Sequence, residues 1–493
     1  MLLDRWHVRL RIMLRGLGLL TSFLTLPVFG TSVRLLPMLP SGAVSTTVQL
    51  DSAGNIYVAG YTKLASAQDA FVAKLSPDGS KVIYFTTLAG SQQDQATGLA
   101  LAADGSAYIT GNTQSSDFPT TAGSLQAANP APGQLQGFVA KLNPAGAVTY
   151  ATYVPSLLVT QMTGIALGSA GEVFVTGIGR QSNTPADVSS PGFILKLDPA
   201  LSRVLIMVYG TGGGLLQLDS QGNIYVAGSA QPNYSSSGTT PIYSLPTFSA
   251  NAFQPTLQPT TCITFGSGPG GIGASFYCRY QYVAKLNPAG TVLWATYVTG
   301  TYGAIAHGMA VDVAGNVTVA GTTNSDDYPV TPGAFQMAYT AAAPPLPQPQ
   351  GSTYKDPPPP IGYITKVNST GTGLIWSTYF GGSSSDRITG MAVSPAGDLV
   401  VSGRADSNDL PGLEGTPDGC KPSAVQQLGF VARVAEDGAT AGPTQLIAGA
   451  PDCTVLELQC DVGLHKLSRL LARGRERRRD GSYRRKRRHR GVG

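Results

Sequence analysis

Histidine occurs only four times in these 493 residues, at positions 7, 307, 465 and 489, and tryptophan three times. Few groups are therefore available for proton transfer near neutral pH or for imidazole-based metal binding. The five cysteines include no Cys-x-x-Cys pair, which removes the common zinc and thiol-redox frameworks. Charged residues make up 12% of the chain, and no apolar run approaches the about 20 residues that a spanning helix needs. No Gly-x-Ser-x-Gly, His-Glu-x-x-His or phosphate-loop pattern occurs, so no catalytic residue, metal ligand or cofactor site is assigned. What the chain has in plenty is glycine, 61 residues, and proline, 35, the composition of a turn-rich protein.

Much of that glycine belongs to one phrase that recurs six times: DSAGNIYVAGYT from Asp51, ADGSAYITGNT from Ala103, SAGEVFVTGIG from Ser169, DSQGNIYVAGS from Asp219, DVAGNVTVAGTT from Asp312 and SPAGDLVVSGR from Ser394. A second phrase follows each, as in GFVAKLNPAG or QYVAKLNPAG. Within a unit apolar residues alternate with small or polar ones, as at Leu99 and Leu101 or Phe138, Ala140 and Leu142, which is the period of strands. Gly54-Asn55, Gly222-Asn223 and Gly315-Asn316 supply the turn between strands a and b, and Asn143-Pro144 or Asn287-Pro288 the turn between c and d. Each unit thus reads as four short antiparallel strands.

A lone four-stranded sheet leaves both faces in water, so the units must stack. The marker glycines Gly60, Gly111, Gly177, Gly228, Gly321 and Gly403 are 51, 66, 51, 93 and 82 residues apart, one blade plus connections of unequal length. The fold expected is all-β, a β-propeller of six to seven four-stranded blades. Closing the blades radially also disposes of most sheet edges.

The pattern GLALxxxGxxYVTGxTxSxDFPTTxGxxQ followed by GFVAKLNPxGxxxYxTY, clearest at Gly98 to Tyr153, resembles the bacterial SBBP-type β-propeller repeat. The resemblance covers roughly residues 44 to 449 and is weakest in unit three, where Leu201 replaces the usual turn glycine. It implies a secreted or surface-associated bacterial protein without a settled activity, and by analogy seven blades. Six full units are visible; a seventh needs Val33 to Leu36 as an orphan outer strand beside residues such as Cys453 to Gln459.

Charge is concentrated at the ends. Residues 464–493 carry 13 Lys and Arg against two acidic residues, and residues 1–34 carry five against one, so the body keeps 15 of 33 basic and 25 of 28 acidic residues. An acidic body makes nucleic acid an unexpected partner. Arg5, Arg9, Arg11 and Arg15 precede an apolar run from Gly16 to Phe29, the layout of a secretory signal, with an uncleaved anchor as the alternative. The organisation expected is a signal at 1–32, a propeller at 33–460 and a basic tail at 461–493. The product is a secreted or cell-surface protein, monomeric and without a transmembrane span once processed. The tail reads as a disordered segment, a polyanion tether or the result of a shifted reading frame.

Function is expected in the b–c connections, which vary most between units and share one end of a propeller. Unit four offers Tyr234, Tyr243, Phe248, Phe253, Phe265, Phe276 and Tyr277 for an extracellular protein or carbohydrate, with Tyr234, Tyr243, Phe265, Phe276 and Tyr277 as the candidate binding residues. Cys262 and Cys278 bracket a glycine-rich stretch of that insertion and form the candidate disulfide, with zinc as the rival; the pairing of Cys420, Cys453 and Cys460 is open. Asp117, Asp327 and Asp409 precede an apolar residue and proline, a turn cap rather than a calcium loop. Lys74, Lys141, Lys196, Lys285, Lys366 and Arg433 share one place in strand c, where a long side chain covers apolar surface and pairs between blades. A propeller enzyme acting on polysaccharide through loop carboxylates is the competing function class.

Overall fold

The computed structural model describes residues 39–40, 42–64, 67–155, 157–181, 192–230, 248–257, 279–342, 358–394, 397–413 and 428–447. The N-terminal segment 1–32, the orphan strand expected at Val33 to Leu36 with its partner at Cys453 to Gln459, and the tail 461–493 lie outside these residues. Within them the chain forms six antiparallel sheets, at 43–88, 94–153, 157–209, 215–297, 304–380 and 386–447, each with its strands a to d in sequence order, and no helix. The protein is an all-β propeller of six blades among the described residues, the number counted from the phrases and not the seven that analogy favours.

Most neighbouring sheets meet mainly along their first strands, Asp94–Leu101 against Leu157–Leu167 and Ala304–Val311 against Asp386–Val393 among them, and splay towards strand d. Strand a is therefore innermost. It carries a bulge that leaves one residue unpaired: Thr46 between Ser45 and Thr47, Thr97 between Ala96 and Gly98, His307 between Ala306 and Gly308, and Thr389 between Ile388 and Gly390. The bulge explains the marker glycine opposite it. A Cβ on Gly111 would lie 2.1 Å from the Gln95 carbonyl oxygen and 2.7 Å from the Phe138 ring, and Gly60, Gly321 and Gly403 face the same obstruction.

The a–b turns close as their sequence implies. Asp51 accepts the N–H groups of Ala53 and Asn55 and the Asn55 amide, and Asp219 and Asp312 repeat the arrangement. At the c–d turns the glycine serves the neighbouring blade, because a Cβ on Gly146 would sit 2.5 Å from the Tyr84 ring, and one on Gly371 2.5 Å from Trp294. Leu201 occupies this place in sheet 3 with φ of 57°, the one non-glycine residue with positive φ among those described, and its side chain is buried against the second sheet.

The core lies between blades. Tyr57, Ala59 and Val72 of sheet 1 pack with Leu99, Ile109, Phe138 and Tyr153 of sheet 2, and every later interface repeats this pairing. Burying side chains of this kind contributes roughly 1.5–3 kcal/mol each. Stacking is thus what makes sheets of only 24 to 33 strand residues stable.

The b–c connection of unit one is shorter than the sequence implied: strand b runs to Leu64 and strand c starts at Ala67, because pairing continues through Lys63 and Gln68. In unit four residues 231–279 separate the two strands. The connections of units two, four and five share one contact. Thr121 and Tyr153 bond to Ala151 and Gln126, Ser249 and Tyr297 to Ala295 and Gln254, and Thr331 and Tyr379 to Ser377 and Gln336. Each connection therefore lays a short stretch along strand d and covers the outer sheet edge.

Candidate functional site

Tyr234 and Tyr243, then Phe265, Phe276 and Tyr277, lie outside the described residues, as do Cys262, Cys278, Cys420, Cys453 and Cys460. The described end of the unit-four insertion, Phe248 to Leu257, does reach the expected face. Phe248 stacks on Tyr297 at 4.1 Å and meets Tyr282 edge-on, so that ring belongs to the blade. Phe253 is half-buried and available.

Asp117, Asp327 and Asp409 are caps, but of a different segment from the one expected. Asp117 accepts the N–H and hydroxyl of Ser91, Asp327 those of Thr301, and Asp409 those of Ser383, each 26 residues away in the connection entering the blade. The Ser91 bonds hold the Asp117 carboxyl below its usual range. Beside two of these caps sit buried carboxylates. Asp94 accepts from Gly90 N–H and Ser115 Oγ, and Asp386 from Gly382 N–H, Ser407 Oγ and the N–H groups of Asp406 and Ser407. Desolvation pushes both carboxyls up against these bonds. They anchor the connections that enter these two blades.

Between sheets 4 and 5, where the b–c and d–a connections emerge, lies a cavity of 290 Å³. Its walls are Phe253, Gln254, Leu257, Tyr280, Thr299, Gly300, Thr301, Asp327 and Pro329. Gln254 is fixed from both ends, its N–H donating to Thr296 Oγ1 and its side-chain oxygen accepting the Thr299 N–H. Asp327 is occupied by Thr301 and so helps shape the wall. Aromatic and aliphatic surface is thus set beside amide and hydroxyl groups held in place.

Arg279 stands beside this cavity, and two further arginines, Arg387 and Arg404, lie in sheet 6. Arg279 precedes Tyr280, and its carbonyl accepts the Ala304 N–H at the start of the strand that carries His307. Arg387 stands two residues before the matching bulge of sheet 6, directly across the a–b pair from Arg404. The bulge side chain His307 is accessible to solvent but flanked by protein; desolvation, then Arg387 and Arg279, hold its pKa below the usual histidine value, so it is neutral at neutral pH. Like charges directly opposite on a sheet are unfavourable. No described carboxylate lies within 4.0 Å of Arg279, Arg387 or Arg404. Sequence reasoning missed these arginines, although Arg404 stands in its phrase where Tyr61 and Asn112 stand in theirs, a visible departure.

The strand-c cations are structural, and among the described residues they pair chiefly within a blade, with Lys366 pairing between blades as well. Lys74 meets Asp51 at 3.4 Å, Lys196 meets Glu172 at 3.1 Å and Lys285 meets Asp219 at 3.8 Å, all on one sheet. Only Lys366 adds a neighbour, Glu436 of sheet 6 at 3.5 Å. Among the described residues no three His, Cys, Asp or Glu side chains gather as a metal site, and no helix is long and apolar enough to cross a membrane.

The SBBP β-propeller repeat matches residues 293–329, and a β-propeller domain of unknown function matches residues 54–81. No curated protein matches the sequence. Among solved structures the chain is similar to an ulvan lyase, a polysaccharide lyase bound to -[GlcA(1-4)Rha3S]-, at 10% identity over 80% of this chain and 81% of that one, with a TM-score of 0.42. It is similar to the hydrazine synthase of Kuenenia stuttgartiensis at 11% identity over 80% and 77%, with a TM-score of 0.40. The Neurospora crassa Pan2 WD40 domain matches at 9% identity over 84% and 92%, with a TM-score of 0.36.

Proposed function

We propose that this chain, a β-propeller assembled from SBBP-type repeats, is an exported binding module whose b–c end takes a carbohydrate bearing an acidic group. The observation that carries the reading is the cavity of 290 Å³ between sheets 4 and 5, where Phe253 and Tyr280 stand beside the fixed Gln254 and Thr299. A sugar ring offers an apolar face and a rim of hydroxyls, which an aromatic wall with positioned amides and hydroxyls matches. Arg387 and Arg404, which have no carboxylate within 4.0 Å among the described residues, suit a uronate carboxylate or sulfate, since a guanidinium binds oxyanions with two parallel hydrogen bonds. Export is supported by the basic and then apolar order of residues 5–29. The propeller acts here as a monomeric scaffold that presents its loops.

The test is calorimetric titration of the full chain with uronate-containing and neutral oligosaccharides, with product analysis after long incubation. Saturable binding that prefers the uronate series, without turnover, is the expected result. Turnover would replace the binding reading with an enzymatic one, and absence of binding to either series would end the carbohydrate reading.

A further inference from the structure

In four of the six sheets the lysine of strand c lies over an aromatic ring of strand b. Lys74 is 4.8 Å from the Tyr57 centroid, Lys141 5.0 Å from Tyr108, Lys196 5.1 Å from Phe174 and Lys285 5.0 Å from Tyr225. The arrangement follows from register, because each pair stands directly opposite across the b–c ladder. Such contacts join cation attraction to ring burial.

Sheet 5 keeps every part except the ring. Lys366 is present and faces Thr318. Asp312 is present and meets Lys366 at 3.1 Å. Where the aromatic ring stands in those four sheets there is here a cavity of 350 Å³, bordered by Thr318, Lys366, Met309, Met391, Trp376 and Glu436. That volume is within the about 300–1,000 Å³ usual for small-molecule sites. It lies at the end of the sheets where the a–b and c–d turns gather, opposite the b–c face.

Sheet 4 shows what the missing ring does. Tyr225 is fully buried, lies under Lys285 and donates its hydroxyl to Asp219 at 3.1 Å. Each of these partners has its counterpart around the empty position, namely Lys366 and Asp312. The third wall is also fixed: Trp376 donates its indole N–H to the Glu436 carbonyl, and its counterpart Tyr84 meets the Tyr57 ring edge-on at 6.3 Å.

We propose that the Thr318 cavity binds a free phenolic compound, with its ring between Lys366 and Trp376 and its hydroxyl donating to Asp312. The phenol takes the place that tyrosine holds in sheets 1, 2 and 4, and the two methionines adapt to what the ring carries. The site is independent of the carbohydrate reading, which concerns the opposite end of the sheets.

The test is calorimetric titration of the full chain with 4-ethylphenol and with 4-ethylanisole, which lacks the hydroxyl donor. The expected result is one saturable site for 4-ethylphenol, at least five-fold weaker for 4-ethylanisole. Thr318→Tyr, which restores the repeat's own ring, should raise the melting temperature and weaken 4-ethylphenol at least ten-fold. If the tyrosine variant does not fold, Asp312→Asn serves instead and should erase the preference for the phenol over the anisole. No saturable binding to the parent chain, undiminished binding to folded Thr318→Tyr, or an unchanged preference in Asp312→Asn would overturn the proposal.

Discussion

The Ser407 hydroxyl donates to the Asp386 carboxylate at 2.6 Å, with both residues buried at the entry to the sixth sheet. Three backbone N–H groups point at the same carboxylate, so every near partner is a donor. Asp386→Asn would set an amide NH2 against at least one of them at nearly unchanged volume. The expected loss is about 2–4 kcal/mol, the range for leaving one or two buried groups unpaired. Urea unfolding of the variant checks it; stability within 0.5 kcal/mol of the parent, about the scatter of neutral surface changes, would show that the donors do not matter.

Acid should destabilise the fold. On Asp51 and Asp219 desolvation acts upward but is outweighed by hydrogen bonds from Asn55 and Asn223, so their carboxyls titrate below the usual range. Glu172 and Asp312 behave alike, with Lys196 and then Asn316 as the leading opposing partners, and Asp104 is lowered by its Ser106 bonds. A lowered carboxyl binds fewer protons folded than unfolded, so its contribution is present above about pH 4 and is lost as pH falls through the folded pKa. Asp94 and Asp386 are raised and act oppositely, favouring the folded chain as they protonate. The lowered groups outnumber the raised ones, so the urea midpoint should fall between pH 5 and pH 3. A flat or rising midpoint would mean that the two buried carboxyls dominate.

The c–d turns give a pair of substitutions with opposite backbone effects and the same sign of outcome. Gly146→Ala puts a methyl 2.5 Å from the Tyr84 ring at φ of 87°, and the left-handed backbone alone costs about 1–2 kcal/mol. Leu201→Gly removes strain of that size at φ of 57° but also removes a buried side chain, for which about 2–5 kcal/mol is the usual loss. Both variants should melt below the parent. A more stable Leu201→Gly would show that strain outweighs packing at that turn.

Fold and scaffold were legible wherever the cause is local. The Gly-Asn turns, the alternating strands and the deviant Leu201 each declare themselves within a few residues. The pins from Asp117 to Ser91 and from Asp409 to Ser383 join positions 26 apart, so the sequence suggested a turn cap but not which segment it holds. For the same reason the sequence indicated pairing for the strand-c lysines without revealing that Lys74 meets Asp51 on its own sheet. The six phrases counted the six sheets of the described chain, and only the seventh blade rested on analogy. Of the candidate site, Phe253 was among the aromatic residues that the unit-four insertion offered, whereas Arg279 and Arg387 act together on His307 only once three blades are stacked. Thr318 was visible all along as the one phrase in which a small polar residue stands where tyrosine or phenylalanine otherwise packs beside a lysine, yet a missing ring reads as nothing until its space is seen.

The central claim is that the b–c end between sheets 4 and 5 grips an acidic carbohydrate, and one calorimetric comparison tests it most directly. The full chain and the variants Phe253→Ala and Arg387→Glu are titrated with the same uronate oligosaccharide. Phe253→Ala should weaken binding about five- to ten-fold, the equivalent of about 1–1.4 kcal/mol. Arg387→Glu should weaken the uronate ligand by at least that factor while leaving its neutral analogue within two-fold. Equal affinity of all three proteins for the uronate ligand would place recognition elsewhere and contradict the account.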